Sequence, residues 1–206
     1  MPIILGFDDC HIDAWHDCRE FFALNGVKAT FYVSDLDTIE PAGWEKLREL
    51  REDGHCIGFH GLRHCRAGAA GVPHDPNNHR LDNEPVFASL DDFMEREILA
   101  GIQIMCANGF DPQHYSYPYG NRTDATDARL LAIFKTVRRG GECRIPVGQE
   151  FPRLFGALVR HKALHTCGAN RVSYYMHEPE IGRIAALIEA AQSNGTHFET
   201  IEEIVR

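Results

Sequence analysis

The chain has 206 residues, 44% of them hydrophobic and 25% charged, and its formal net charge is −9 at pH 7. This length provides one sizeable hydrophobic core and is short for two, so we expect a single domain over residues 1–206. The negative charge and the absence of a Lys/Arg block argue against a nucleic-acid partner, and no apolar stretch approaches the roughly 20 residues of a membrane-spanning helix.

The first 61 residues alternate between strand and helix patterns. Short runs rich in aliphatic, β-branched and aromatic residues predict buried strands at 3–7, 27–33 and 55–61. The intervening stretches 11–26 and 41–54 predict helices that stop at a glycine, and the second of them begins with a proline. This β-α-β-α-β order predicts an α/β fold built on a parallel sheet.

The alternation is interrupted and then resumes. Residues 65–88 are rich in Gly, Pro and Asn, and we interpret them as an irregular insertion inside the domain because the alternation continues after them. Residues 140–170 do not indicate a particular element. Helices are predicted at 89–109, 123–134 and 178–195, a strand followed by a turn at 114–120, strands at 135–139 and 171–177, and a last strand with a short helical tail at 196–206.

Polar side chains follow the predicted strands at their carboxyl ends, where parallel α/β folds bind ligands. Asp8 and Asp9 follow the first strand, His60 lies at the end of the third and His64 just after it, and His177 ends a later one. Two adjacent carboxylates repel each other, so a cation nearby is expected to offset the cost of placing them in a cleft. One Asp with two His is a ligand set that leaves positions open for water and substrate, so the sequence predicts a metal site.

The remaining histidines and cysteines carry weaker signals. His161 and His165 have the same spacing as His60 and His64, but no carboxylate is placed with them, and we interpret them as a helix face. Cys10 is interpreted as a packed thiol rather than a nucleophile. The seven cysteines form no short C-x-x-C pair, and no signal-peptide pattern is present, so we expect a reduced, cytoplasmic protein.

Taken in order along the chain, these motifs resemble those of the polysaccharide deacetylase family, the NodB-type carbohydrate esterases. Any one of the motifs is weak evidence, but together they follow the family's order over nearly the whole chain. They are Phe7-Asp8-Asp9, the strand VKATFYV at 27–33, GHCIGFHGLRH at 54–64, Pro118-Tyr119-Gly120, Tyr175-Met176-His177 and the ending FETIEE.

The resemblance implies a distorted (β/α) barrel of seven strands and a metal-dependent hydrolase. The implied reaction removes an acetyl or another small acyl group from the amide nitrogen of an N-acylated sugar or sugar conjugate, so the expected partner is a small-molecule or oligosaccharide substrate. One divalent metal ion would be held by Asp9, His60 and His64. Zinc is the default for this ligand set, and cobalt, nickel or iron would fit a similar geometry.

The resemblance also implies roles for residues around the metal. Asp8 would act as the base that takes a proton from the attacking water, and His177 as the acid that protonates the leaving amine. The backbone N–H of Tyr119 would face the developing oxyanion. Pro118 and Tyr117 are expected to contact the substrate.

The chain departs from the family pattern at several points. Cys10 stands where the family commonly has glycine, and the turn R-x-P-Y, whose arginine often orients the base, has no arginine here and carries Tyr117. We predict that Arg138 replaces it, on the inward face of strand 135–139. The family's fourth motif is not recognisable within 140–165.

These departures leave two alternatives to a sugar deacetylase. One is a hydrolase of the same fold that acts on a non-sugar amide or cyclic imide, in a closed pocket roofed by residues 65–88. The other is a non-catalytic carbohydrate-binding relative, which the presence of all five motif carboxylates and histidines disfavours. The sequence does not indicate the oligomeric state.

Overall fold

A computed structural model describes residues 2–67, 87–138 and 172–204. These residues form a seven-stranded parallel sheet in the order β5-β4-β3-β2-β1-β6, with β7 also paired to β1, and the sheet curls into a half-barrel. The strands are β1 Ile3–Asp9, β2 Thr30–Val33, β3 Cys56–Phe59, β4 His114–Ser116, β5 Thr136–Arg138, β6 Val172–Met176 and β7 Phe198–Glu199.

Helices alternate with strands along much of the described chain. A π-helical segment, Met94–Leu99, separates two α-helices, and short 3-10 turns lie at Leu36–Thr38 and Pro118–Gly120. No described helix is both long and apolar enough to cross a membrane. The α-helices are α1 Ile12–Asp17, α2 Arg19–Leu24, α3 Pro41–Glu52, α4 Leu90–Phe93, α5 Ala100–Ala107, α6 Asp124–Leu131, α7 Ile181–Ser193 and α8 Ile201–Ile204.

The two faces of the sheet differ in chemistry, because side chains alternate along each strand. One face carries apolar residues such as Phe7, Phe31 and Phe59, which are fully buried in the hydrophobic core. The opposite face of the same strands is polar although it is also buried. Its buried polar members are Asp8, Thr30, His114, Ser116, Thr136, Arg138 and Ser173.

A close approach of backbone and ring shapes this polar face. A Cβ added at Gly58 would lie 2.7 Å from the ring of Tyr32, so only glycine leaves room for that ring on the neighbouring strand. Tyr32 is itself fully buried and lies beneath the carboxyl-terminal ends of the strands. Gly58 therefore leaves room for the Tyr32 ring directly below the candidate site.

The predicted α/β barrel fold is confirmed, with differences in the helices. The stretch 11–26, predicted as one helix, is two helices that break at Cys18, whose N–H bonds to the carbonyl of Trp15 three residues back. The predicted helix 89–109 is interrupted by the π-helical segment, although Ser89 caps it and Gly109 (φ +85°) ends it as expected. Most of the predicted insertion 65–88, and all of 140–170, lie outside the described residues.

Candidate active site

Three predicted ligand atoms converge at the carboxyl ends of β1 and β3. Asp9 Oδ1 lies 3.1 Å from His64 Nε2 and 3.4 Å from His60 Nε2, and the two imidazole nitrogens are 3.1 Å apart. Two ligands of a tetrahedral zinc ion, each at about 2.0–2.1 Å, are about 3.3 Å apart, so the spacing fits a bound divalent ion. Within the described residues no other group of three His, Cys, Asp or Glu converges in this way.

Unusual backbone geometry brings these side chains together. Asp9 has φ of +81° and His64 has φ of +57°, in the left-handed region that costs a non-glycine residue about 1 kcal/mol or more. Strand alternation alone would point the adjacent Asp8 and Asp9 to opposite faces. The left-handed turn at Asp9 ends β1 and allows both carboxylates to lie at the same carboxyl edge of the sheet.

The orientation of His60 is set by a hydrogen bond on its far side. Its Nδ1–H donates to the carbonyl of Ser116 at 2.8 Å, and since a carbonyl only accepts, the hydrogen must be on Nδ1. The lone pair of Nε2 then faces Asp9 and His64. This is the arrangement by which a protein fixes the tautomer and ring orientation of a metal-binding histidine.

The three predicted ligand side chains interact electrostatically with one another. Burial opposes ionisation of Asp9, but the facing imidazoles of His60 and His64 outweigh burial and hold the pKa of Asp9 well below its ordinary value. Burial would lower the pKa of His64, yet the carboxylate of Asp9 raises it overall. An anionic Asp9 facing two imidazoles is a donor set suited to a divalent cation.

Asp8 lies beside this cluster and is anchored at one oxygen. Its Oδ2 accepts a hydrogen bond from Nη2 of Arg138, which also contacts the hydroxyl of Ser116, and both charged residues are only 4% exposed. The guanidinium lies between the rings of Tyr32 and Tyr175, at 4.9 and 5.0 Å from their centroids. The other oxygen, Asp8 Oδ1, has no hydrogen-bond partner among the described residues.

Arg138 points inward and contacts Asp8, which accounts for the absence of an arginine from the turn after β4. Counting R-x-P-Y back from Tyr119 puts the family's arginine at Ser116, so the prediction that Tyr117 stands in its place was wrong. Ser116 and Arg138 are register partners on β4 and β5. The small serine leaves space for a guanidinium that enters from the next strand, so the charge reaches Asp8 from a different element.

Two histidines flank the other oxygen of Asp9. His177, at the end of β6, has Nε2 3.8 Å from Asp9 Oδ2, and its backbone carbonyl accepts a 2.7 Å hydrogen bond from the indole of Trp15. His11 has Nε2 3.9 Å from the same oxygen and Nδ1 3.2 Å from Glu178. These histidines and Glu178 line a cavity of about 480 Å³ beside the ligand cluster.

The turn after β4 contributes one exposed side chain and two buried ones. Tyr119, at φ +56°, is 55% exposed, and its ring centroid lies 4.5 Å from that of His64. Pro118 and Tyr117, which were expected to contact substrate, are buried, and the Tyr117 hydroxyl donates to Asp127 of α6 at 2.9 Å. Their side chains pack the turn against the rest of the fold, and of the three only the Tyr119 side chain is exposed.

Sequence reasoning missed His11 and Glu178 as members of the site. The position of His11, two residues after Asp9, could have indicated that it belongs to the site. Its partner Glu178 is far away in the chain, so no local pattern joins the two.

For Cys10, burial and the nearby carboxylates of Asp35 and Asp9 raise the pKa of the thiol to about 11, which agrees with a packed thiol.

Comparison with known proteins identifies the class to which this fold and site belong. A search of curated proteins finds no significant match, but the family model described as polysaccharide deacetylase matches residues 1–133. The chain belongs to the polysaccharide deacetylase family, and it is a hydrolase of that family, acting on carbon–nitrogen bonds other than peptide bonds. Arg138 and His177 lie beyond the matched range.

Solved structures share the fold at low sequence identity. A family 4 carbohydrate esterase from Streptomyces lividans, in complex with acetate, is 13% identical with a TM-score of 0.63, covering 97% of this chain and 92% of its own. The chitin deacetylase of the fungal pathogen Colletotrichum lindemuthianum is 17% identical with a TM-score of 0.62, covering 98% and 86%. A mutant of a family 4 pseudoenzyme with restored activity is 13% identical with a TM-score of 0.66, covering 100% and 67%.

Proposed function

We propose that this protein is a metal-dependent deacetylase that removes an acetyl or another small acyl group from the amide nitrogen of an N-acylated sugar or sugar conjugate. Family membership supports deacetylase activity on sugar polymers and a carbohydrate substrate. The observation that carries the proposal is the convergence of Asp9, His60 and His64 beside a second carboxylate, Asp8, that is held by a buried arginine.

Asp9, His60 and His64 are the residues that would hold the ion. The spacing of their ligand atoms fits a divalent cation, and enzymes of this family generally depend on one. When bound, the cation supplies Lewis-acid polarisation of the amide carbonyl and lowers the pKa of a water molecule. Zinc is the default for two imidazoles and one carboxylate, with cobalt, nickel or iron as the alternatives to test.

Asp8 would serve as the base. Its Oδ2 is occupied by Arg138, whereas its buried Oδ1 has no hydrogen-bond partner among the described residues and remains able to accept a proton from the attacking water. Arg138 keeps the carboxylate in one orientation, because the guanidinium is itself enclosed by two aromatic rings. One carboxylate would thus hold the cation while its neighbour moves a proton.

His177 would complete the reaction on the leaving-group side. Its side chain is about half exposed, and its Nε2 is within 4 Å of the ligand carboxylate, so it can reach a substrate held at the ion and protonate the departing amine. The indole of Trp15 fixes the backbone of His177. The left-handed conformation of Tyr119 sets the direction of its backbone N–H, which we assign to the developing oxyanion.

The test begins with metal analysis of the purified protein. The metal-loaded enzyme is then assayed for release of acetate and formate from N-acetylated and N-formylated sugars and from chito-oligosaccharides. We expect acyl release that stops after chelation and returns on adding Zn²⁺ or Co²⁺. Asp8→Asn should retain the ion and lose roughly 10²–10⁴-fold in kcat, the usual contribution of a general base.

Other results would favour the alternative functions. Hydrolysis of cyclic imides but of no N-acyl sugar would support the non-sugar hydrolase. Tight sugar binding without turnover, unchanged by Asp8→Asn, would support a non-catalytic relative. A cytoplasmic location stays a prediction, to be tested by cell fractionation.

A further inference from the structure

The segment that carries His64 needs an external support. It follows β3 without regular secondary structure, and within four residues it contains two left-handed positions, Gly61 (φ +91°) and His64 (φ +57°). Buried backbone N–H groups that no helix or strand pairs must find other hydrogen-bond partners. A strained histidine of this kind persists only where its surroundings hold it in place.

Glu97 provides that support from the π-helical segment. Its Oε1 accepts hydrogen bonds from the backbone N–H of Arg63 at 2.9 Å and of Cys65 at 3.2 Å, the two residues on either side of His64. The carboxylate therefore binds the chain immediately before and after the ligand histidine. No atom of Glu97 is itself one of the three converging ligand atoms.

Neighbouring glycines allow the carboxylate and its helix to come this close. A Cβ at Gly61 would lie 2.7 Å from Glu97 Oε1, and a Cβ at Gly101 would lie 2.5 Å from the ring of Phe59 at the end of β3. At either position a Cβ would force a neighbouring group to move, Glu97 itself at Gly61 and the buried Phe59 ring at Gly101. The helix is thus docked against the very turn from which His64 emerges.

A carboxylate at this position is costly for stability alone. Glu97 is fully buried, burial raises its pKa, and its Oε2 has no hydrogen-bond partner among the described residues. The surrounding helix positions Phe93, Met94 and Ile98 are apolar and buried. A core position of this kind ordinarily favours an apolar side chain, so the presence of a polar acceptor there is explained by the two N–H groups that it binds.

We propose that Glu97 is a positioning residue of the metal site, which holds the Arg63 and Cys65 amides so that the His64 imidazole stays directed at the ion. This inference rests on the proposed function only in assuming that Asp9, His60 and His64 bind a metal. The length of the Glu97 side chain, rather than its charge, is the essential property, because one of its oxygens must reach both backbone N–H groups at once.

The experiment compares Glu97→Gln with Glu97→Asp. Gln keeps an oxygen at the same reach without the charge, whereas Asp keeps the charge but is one methylene shorter. We measure Co²⁺ affinity of the apoprotein by chelator competition, and the visible absorption spectrum of the bound Co²⁺ as a signature of its coordination. Glu97→Asp should lose roughly 10–100-fold in affinity and change the spectrum, as removal of supporting partners does at other metal sites, while Glu97→Gln stays close to wild type.

Glu95→Gln is the matched control, since Glu95 is exposed on the same π-helical segment, and thermal unfolding of each apoprotein checks that it is folded. Wild-type affinity in folded Glu97→Asp, or an equal loss in both Glu97 variants, would overturn the proposal. Hydrogen exchange of the wild-type apoprotein tests it without any variant: the Arg63 and Cys65 amides should be protected, and exchange as fast as in an exposed loop would refute it.

The proposed function can fail separately. Wild-type protein that binds Co²⁺ but releases no acyl group from any substrate would refute the deacetylase assignment and leave the affinity series fully interpretable. Wild-type protein that binds no divalent ion would overturn both.

Discussion

Two histidines at opposite ends of the same strand, β3, have opposite environments. His55 precedes the strand, and His60 follows it, and both are buried. The Nδ1 of His55 accepts the N–H of Ala29, and its ring packs edge-on against Phe22 and Phe31. Burial, together with the charge of Lys28, lowers the pKa of His55 to about 4. His60 instead lies between a backbone carbonyl and the carboxylate of Asp9.

The same contrast extends to the neighbouring strand. His114, at the start of β4, is buried against the hydroxyl of Thr136, and burial lowers its pKa to about 4. At the other end of β4, Ser116 serves both His60 and Arg138. Within the described residues, left-handed non-glycine backbone occurs only on the carboxyl side of the strands, at Asp9 and three others. Both ends of these strands therefore carry buried histidines. The carboxyl ends, which form the candidate site (the reactive end), differ from the amino ends (the structural end) in their carboxylates and in their strained backbone.

The largest expected effect comes from replacing one histidine at each end. His64→Ala should weaken Co²⁺ or Zn²⁺ binding by more than about 100-fold, beyond the loss that follows removal of a supporting partner alone. His55→Ala should leave metal affinity unchanged but destabilise the fold by about 2–3 kcal/mol, since it opens a cavity and leaves the Ala29 amide unpaired. Chelator competition and urea unfolding measure the two effects. If both variants lost metal binding equally, the ends would not be functionally distinct.

The buried arginine is the next point to test. Arg138→Met should reduce kcat by roughly 10–100-fold, because the base loses both its orienting hydrogen bond and its charge partner. Arg138→Lys should recover part of the activity, and Ser116→Arg in the Arg138→Met background should recover more, because position 116 is where the family's turn places its arginine. Arg129→Met, on the surface of α6, is the control. Full activity in Arg138→Met would remove this residue from the mechanism.

His55 and His114, at the structural end, should also make the free energy of unfolding depend on pH in the acid range. The pKa of His55 and of His114 is lowered from 6.5 to about 4 in the folded protein, so between these values the unfolded state binds more protons. The free energy of unfolding therefore falls as the pH falls through this window, by about 2 kcal/mol per histidine between pH 7 and pH 5.

Urea unfolding at the two pH values measures this dependence. Between pH 7 and pH 5, the free energy of unfolding of His114→Gln should fall by about 2 kcal/mol less than that of the wild type. His197→Gln, at an exposed position, should show the same fall as the wild type. A His114→Gln protein with the full wild-type dependence would show that the histidines of this end do not control it.

The smallest expected effect concerns the pair of His11 and Glu178 on the cavity wall. His11→Asn or Glu178→Gln should raise KM for an N-acetylated oligosaccharide about fivefold, equivalent to one net hydrogen bond of about 1 kcal/mol, and change kcat little. Glu189→Gln, exposed on α7, is the control. A loss confined to kcat would instead assign the pair to the chemical step.

Much of the local structure could be predicted because it depends on neighbours in the chain. The Ser89 cap accepts the Asp92 N–H, as its spacing indicated, and glycines end the helices at positive φ. Strand alternation predicted the inward direction of Arg138. Placing the motif carboxylates and histidines at the ends of parallel strands predicted a metal site, because topology alone brings those ends together, and the family resemblance then assigned Asp9, His60 and His64 as its ligands.

The sequence by itself determined the alternation of strands and helices, the parallel sheet and the residue types gathered at its carboxyl edge. Only the tertiary structure decided which groups touch: the pairing of His11 with Glu178, the approach of Arg138 to Asp8 beside Ser116, and the hold of Glu97 on both sides of His64. Periodicity and capping act over a few residues, whereas these contacts join elements that are far apart in the chain. Their geometry depends on how the whole sheet curls, which no local pattern encodes.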